Sequence, residues 1–150
     1  MSLNLPKLRS EADSGSVVAQ ATLGICFLEG IEVEVNLMEA FRYLSAVAGR
    51  GASRAQANLA RMYAEGLGIQ KDMPTAIQLY EAAATRGEFL AQVELGRIYS
   101  RGIGVSPSPQ PAFKWYSVAA SQQASIADCE ELREAKDCLT RKRDEGHAEL

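Results

Sequence analysis

Two glycines and two charged side chains in the segment EGLGIQKD, Glu65 to Asp72, are the first candidates for chemistry. A dinucleotide-binding loop requires a preceding strand and a third glycine, and a P-loop requires Gly-Lys followed by Ser or Thr. Neither pattern is present, and a helical pattern precedes the segment. A calcium loop requires alternating oxygen ligands, and only Asp72 qualifies. We therefore predict a turn between two helices that holds no cofactor.

The cysteines and the single histidine are the other candidates for a metal or catalytic site. Cys129, Cys138 and His147 follow one another at intervals of nine residues. On a helix this spacing separates successive side chains by about 13 Å along the axis and turns them to nearly opposite faces. They cannot converge on one metal ion or form a disulfide. We predict no metal site, no catalytic residue and no enzymatic activity, and the odd number of cysteines favours a reducing compartment.

Composition excludes two classes of partner. The net charge is −3, and the basic run Arg141 to Arg143 is flanked by acids, which argues against a nucleic-acid partner. No run of 18 apolar residues is present, so no membrane-spanning segment is predicted. The first residues lack the apolar region of a secretory signal. We predict a cytoplasmic protein; a periplasmic location stays open if a leader has been removed.

The chain aligns with itself at an offset of 36 residues without a gap. Ala19, Ala55 and Ala91 fall in register, and each is followed by glutamine. Agreement at many further positions indicates three copies of one structural unit. The other positions in register include Leu23, Leu59 and Leu95; Gly24, Ala60 and Gly96; Phe27, Tyr63 and Tyr99; Ala40, Ala76 and Ala112; and Leu44, Tyr80 and Tyr116.

Each copy is predicted to hold two helices, called helix A and helix B, because its apolar residues recur at the helical period. In helix A, the leucine that recurs in every copy is followed by a small residue, which allows a neighbouring helix to approach closely. Gly30, Gly66 and Gly102 are predicted to end helix A. Asn36, Asp72 and Ser108 are predicted to cap helix B. The glycines predicted to end helix B are Gly15, Gly51 and Gly87.

One helix pair cannot bury its apolar stripes, so the pairs must stack. We predict one domain over residues 1–150, with repeats at about 19–54, 55–90 and 91–124. An N-terminal half repeat covers residues 5–18, and a charged capping helix covers about 125–145. The fold class is all-α, an α/α solenoid of helix-turn-helix repeats.

The repeat unit resembles the Sel-1-like repeat family. The family pattern is Ala-x-x-x-Leu-Gly-x-x-Tyr, then Gly-x-Gly-Val-x-x-Asp, then Ala-x-x-Trp-Tyr-x-x-Ala-Ala-x-x-Gly. Residues 55–87 match almost throughout, residues 91–120 keep Trp115 and Tyr116, and residues 19–51 match more loosely, with Glu32 in place of the second glycine. The resemblance implies a tetratricopeptide-like right-handed superhelix with a concave surface. It also implies an adaptor role, in signalling, protein quality control or bacterial secretion; some bacterial members are immunity proteins.

The face of helix A opposite its core stripe is the predicted binding surface, because in a tetratricopeptide-like coil this face lines the concavity. It changes from apolar in copy one to basic in copies two and three, which suits a protein or peptide partner with an apolar anchor and acidic groups. Alternatively, a neighbouring helix covers some apolar members and the arginines are only solvated. The predicted partner-binding residues are Val18, Ile25, Leu28, Arg54, Arg61, Leu90, Arg97 and Arg101.

The sequence therefore predicts a non-enzymatic protein-interaction scaffold. One alternative is an immunity or regulatory protein that inhibits a secreted effector by direct binding. A rival of another class is an enzyme or small-molecule-binding protein that uses the groove. A homodimer is a further alternative, because a half repeat at the N-terminus leaves an incompletely capped apolar end.

Overall fold

The computed structural model describes residues 2–122 together with residues 137, 140 and 141. This part of the chain is helical, with turns and no strand. The predicted capping helix at about 125–145 lies almost wholly outside the described residues. The helices are α1 (Leu5–Asp13), α2 (Val17–Glu29), α3 (Leu37–Ala48), α4 (Ser53–Glu65), α5 (Met73–Thr85), α6 (Phe89–Arg101) and α7 (Pro109–Gln122).

The chain divides into two compact units, Met1–Glu88 and Phe89–Leu150, called here the N-terminal and C-terminal units. The N-terminal unit contains α1, the half repeat, followed by the helix A and helix B pairs α2–α3 and α4–α5. The C-terminal unit contains the third pair, α6–α7. The prediction of a single domain over residues 1–150 stays a prediction.

Side-chain caps begin the B helices of the N-terminal unit as predicted. The Asn36 side chain accepts a hydrogen bond from Glu39 N at 3.1 Å, and that of Asp72 accepts one from Thr75 N at 3.1 Å. The helix A stops are also confirmed, because Gly30 and Gly66 adopt the left-handed conformation that ends α2 and α4. The turn of EGLGIQKD is thus a helix connection.

Glu32 is the one described residue other than glycine with a positive φ, at 56°. The positions in register with it in the other copies are Gly68 and Gly104, at φ 68° and 71°. An L-residue in this conformation costs roughly 1–2 kcal/mol. The Glu32 carboxylate accepts a hydrogen bond from Leu3 N at 2.8 Å, which ties the N-terminal segment to this turn.

The small residues of helix A permit close packing of helix B, as predicted. A Cβ added to Gly24 would lie 2.7 Å from Cγ and Cδ2 of Leu44, which is fully buried. In the C-terminal unit a Cβ on Gly96 would lie 2.5 Å from the ring of Tyr116. In these two pairs, α2–α3 and α6–α7, the helices therefore meet at the small residue.

The glutamine that follows the register alanine bridges helix A to the end of the preceding helix B. Gln20 Nε2 donates to the carbonyl of Ala12 at 2.9 Å, and Gln56 Nε2 donates to the carbonyl of Ala48 at 2.8 Å. Each of these carbonyls also accepts a backbone N–H from the turn that follows its helix, Gly15 N at 3.0 Å for Ala12 and Gly51 N at 3.2 Å for Ala48, so the glutamine amide is a second donor to the same carbonyl. This explains the recurrence of glutamine within the repeat.

Candidate functional site

An apolar groove of about 590 Å³ lies on the helix A face of the N-terminal unit. One side is the exposed face of α2, and the facing side is the first turn of α4 with the residues just before it. The groove contains no carboxylate among its lining residues. The residues that matter for its chemistry are Leu3, Val18, Ile25, Ile31, Ala52 and Arg54.

Three of the predicted partner-binding residues meet in this groove. Val18 and Ile25 lie one above the other on α2, and Arg54 lies across from them in the first turn of α4. The Val18 side chain is 76% exposed although it is apolar. Ile25 is half-buried against the core, so Val18 is the exposed aliphatic side chain of this set. An exposed aliphatic side chain beside a guanidinium has the chemistry expected of a docking site, and binding itself stays a prediction.

Leu28 departs from the predicted surface because it is only 6% exposed and belongs to the core of the N-terminal unit. Leu59 and Met62 of α4 belong to the same buried cluster. The neighbouring helix A therefore covers the last turn of α2, as the alternative interpretation of this face anticipated. The side chain of Leu28 has no surface to offer a partner.

Arg61 is paired within the N-terminal unit. Its guanidinium forms an ion pair with Glu29 at the end of α2, and its Nε is buried without a hydrogen-bond partner. The ion pair joins two consecutive A helices. A partner that uses Arg61 would have to compete with Glu29 for this cation.

The remaining predicted residues belong to α6 in the C-terminal unit. Arg97 Nη1 lies 3.1 Å from Glu94 Oε1, so this arginine is also paired within the chain. Leu90 is 41% exposed, and Arg101 is exposed in the last turn of α6. None of these three lines the groove of the N-terminal unit.

The first turn of α4 supplies the polar part of the groove. Its N-cap position is Ala52, which makes no side-chain cap hydrogen bond. The other helices of the N-terminal unit each have one, and the register equivalent of Ala52 is Ser16, whose Oγ accepts from Ala19 N at 3.3 Å. This polar feature was missed at the sequence level, although the Ser16-to-Ala52 difference was visible in the aligned copies.

Arg54 is exposed and makes no ion pair with any residue of the described chain. A second guanidinium lies close by, since a Cβ on Gly51 would be 2.7 Å from Nη1 of Arg86. Arg54 and the positive end of the α4 dipole place positive charge on this side of the groove, while the Glu32 carboxylate acts on Cys26 and accepts from Leu3 N, two residues that also line it.

Cys26 is the thiol that lines the groove, and it is buried. Burial, and secondarily the charge of Glu32, raises the pKa of this thiol. A thiol with a raised pKa stays protonated at neutral pH, which is the opposite of an activated nucleophile. Within the described residues, no three His, Cys, Asp or Glu side chains are grouped so as to hold a metal ion.

The family model for the Sel1 repeat matches residues 17–48, 53–88 and 90–123. The chain belongs to the Sel1 repeat family. The three matches follow the three helix pairs, and the fold class is the predicted all-α helical repeat solenoid. Proteins built from these repeats generally act as scaffolds for protein–protein interaction. No curated protein sequence matches the chain.

Two solved structures are similar to this chain. A Sel1 repeat protein from Oxalobacter formigenes is 41% identical, with a TM-score of 0.73; the match covers 89% of this chain and 98% of that one. A protective antigen from uropathogenic Escherichia coli strains, with a Sel1-like repeat fold, is 31% identical, with a TM-score of 0.75. That match covers 79% of this chain and 26% of the antigen. No helix in the described residues has the length and apolar character needed to cross a membrane.

Proposed function

We propose that this Sel1 repeat protein is a non-enzymatic scaffold that binds a protein or peptide partner in the groove between α2 and the first turn of α4. The observation that carries the proposal is an exposed aliphatic side chain, Val18, which lines an apolar groove together with Arg54, a guanidinium that forms no ion pair within the described residues. An apolar anchor on the partner would fill the groove, and an acidic group would lie against the cation.

The chemistry of the groove favours binding over catalysis. Its nucleophilic side chains are the thiol of Cys26, whose pKa is raised, and the hydroxyls of Thr22 and Ser53. The lining residues include no histidine or carboxylate that could act as a general base beside it. These features support a scaffold, because the groove lining supplies neither an activated thiol nor a general base for an enzymatic reaction.

A matched pair of charge substitutions tests the proposal. Val18 and Met38 are almost equally exposed, at 76% and 79%, but only Val18 lines the groove. The protein is immobilised, and proteins retained from a lysate of its source cells are quantified by mass spectrometry for the wild type, Val18→Asp and Met38→Asp. We expect a set of proteins whose retention falls by about tenfold or more with Val18→Asp, since burying a valine contributes roughly 1.5–3 kcal/mol.

Met38→Asp should retain the same set at wild-type levels. Circular dichroism of both variants verifies that the helices are intact. If Val18→Asp and Met38→Asp retain the same proteins equally, the groove is not the docking site.

A further inference from the structure

We infer that the groove is one half of a symmetric dimer interface, in which the exposed face of α2 packs against the same face of a second copy of this chain. The inference rests on the proposed function, because it names the partner that the same groove would take. In an interface related by a two-fold axis, each protomer must carry both halves of every contact. The groove meets this requirement in its charges and in its apolar side chains.

The charges beside the groove lie toward opposite ends of α2. The ion pair of Arg61 with Glu29 places the third turn of α4 beside the end of α2. Arg54 lies about two turns earlier on α4, roughly 10 Å back along that helix and toward the start of α2. Glu32 follows the end of α2, and its carboxylate accepts a hydrogen bond from Leu3 N at 2.8 Å. The cation therefore lies toward the start of the groove and the anion toward its end.

Neither charge is neutralised by an opposite charge of the same chain. Arg54 and Glu32 are both exposed, and neither forms an ion pair with any residue in the described part of the chain. The Arg86 guanidinium, beside Gly51, adds positive charge at the start of the groove. When two copies pack with their α2 helices antiparallel, Arg54 of each copy lies against Glu32 of the other. The groove is thus complementary in charge to a second groove.

The apolar side chains of the groove follow the same two-fold arrangement. Val18, which is 76% exposed, lies at the start of α2, and Ile31, which is 44% exposed, follows its end. Both line the groove, and Thr22 and the half-buried Ile25 lie between them. Antiparallel packing brings Val18 of each copy onto Ile31 of the other. Removal of these aliphatic side chains from water supplies a driving force that exposed ion pairs alone do not provide.

A second copy matches both ends of the groove, whereas an acidic peptide matches one. A peptide with an apolar anchor and an acidic group would contact Val18 and Arg54 and would leave Ile31 and Glu32 exposed. A second copy brings an aliphatic side chain and the opposite charge to each end. The placement of these four residues therefore favours self-association.

Reversal of the two charges tests this inference. In a symmetric dimer, Arg54→Glu brings two acids together at each contact, and Glu32→Lys brings two bases together. The dissociation constant of the dimer is measured by sedimentation equilibrium at low ionic strength for the full wild-type chain, each variant and an equimolar mixture of the two variants. We expect each reversal to raise the constant by about tenfold or more. The mixture should form a heterodimer close to wild type in stability, because both of its contacts again join unlike charges.

Three further variants serve as controls, and circular dichroism verifies their helices. Glu32→Gln keeps an acceptor for Leu3 N and removes the charge, so it should raise the dissociation constant less than Glu32→Lys does. Val18→Asp should raise it by about a hundredfold or more, because the dimer loses two buried valines and gains an acid beside each Glu32. Met38→Asp, at an equally exposed position outside the groove, should leave it unchanged.

Three results would overturn the inference. A wild-type chain that stays monomeric up to about 1 mM would leave the groove to another protein, and the comparison of Val18→Asp with Met38→Asp in the lysate decides that question separately. A dimer whose dissociation constant is unchanged by Val18→Asp would use another surface. A mixture of Arg54→Glu and Glu32→Lys that associates no better than either variant alone would exclude the antiparallel pairing of the two grooves.

Discussion

Replacing Ala52 by serine should stabilise the protein, and the copy-one helix shows why. Ser16 occupies the register position of Ala52, and its Oγ accepts a hydrogen bond from Ala19 N at 3.3 Å at the start of α2. Ala52 also has an extended backbone, at φ −70° and ψ 93°, and makes no such bond. A serine side chain at position 52 can therefore reach Ala55 N while the backbone stays in the extended conformation that Ser16 also has.

The expected gain follows from measured N-cap substitutions. Exchange of a serine cap for alanine costs about 0.5–2 kcal/mol, typically near 1. Ala52→Ser should raise the free energy of unfolding by about that amount, and Ser16→Ala should lower it by a similar amount. In a chain of this length, 1 kcal/mol corresponds to roughly 2–4 °C in the midpoint of thermal unfolding.

The assay is urea unfolding followed by circular dichroism, applied to the wild type, both single variants and the double variant. Because the two caps lie on different helices, the double variant should unfold close to the wild type. The reasoning fails if Ser16→Ala shows its loss and Ala52→Ser shows no gain. That result would mean that the donors of α4 are already satisfied.

Three further predictions follow from the packing and the turns. Gly24→Ala should destabilise by about 1–2 kcal/mol, because its Cβ would overlap the Leu44 side chain; in a Leu44→Ala background it should stabilise by about 1 kcal/mol, which urea unfolding of the four proteins checks. Glu32→Gly should be more stable than Glu32→Ala by about 1 kcal/mol, since both lose the carboxylate and only alanine keeps the strain at positive φ. The Thr75 hydroxyl and backbone N–H lower the pKa of Asp72, so its cap contributes stability above the unfolded-state pKa. This contribution is lost as the pH falls below about 4, and Asp72→Asn should abolish that part of the pH dependence of the urea midpoint.

The repeat and the residues that begin and end its helices were predictable because they depend on local chemistry that recurs along the chain. A glycine with positive φ at position 66 and an aspartate that accepts from Thr75 N at position 72 are properties of a few consecutive residues. Because the chain repeats at an offset of 36 residues, the corresponding positions occur in three copies and can be compared with one another. The Sel1 repeat and the all-α repeat fold could therefore be assigned from the sequence.

The candidate site was predictable only in part, because helical periodicity gives the direction of a side chain and not what lies over it. Val18, Ile25 and Leu28 share a face of α2, yet Leu28 is buried with residues of α4 and Val18 is exposed. The same limit applies to Arg61, whose partner Glu29 lies 32 residues earlier in the chain. The packing of one repeat on the next decides both outcomes.

The position of an absent cap is the least local of these features. A missing N-cap at Ala52 has no consequence that the sequence shows, since solvent can satisfy the N–H groups of an exposed helix end. The structure places this end beside Arg54 in an apolar groove, so its surroundings depend on how α4 packs on the preceding helices. A serine at position 52 should raise stability, because the equivalent Ser16 caps α2 through the same kind of hydrogen bond.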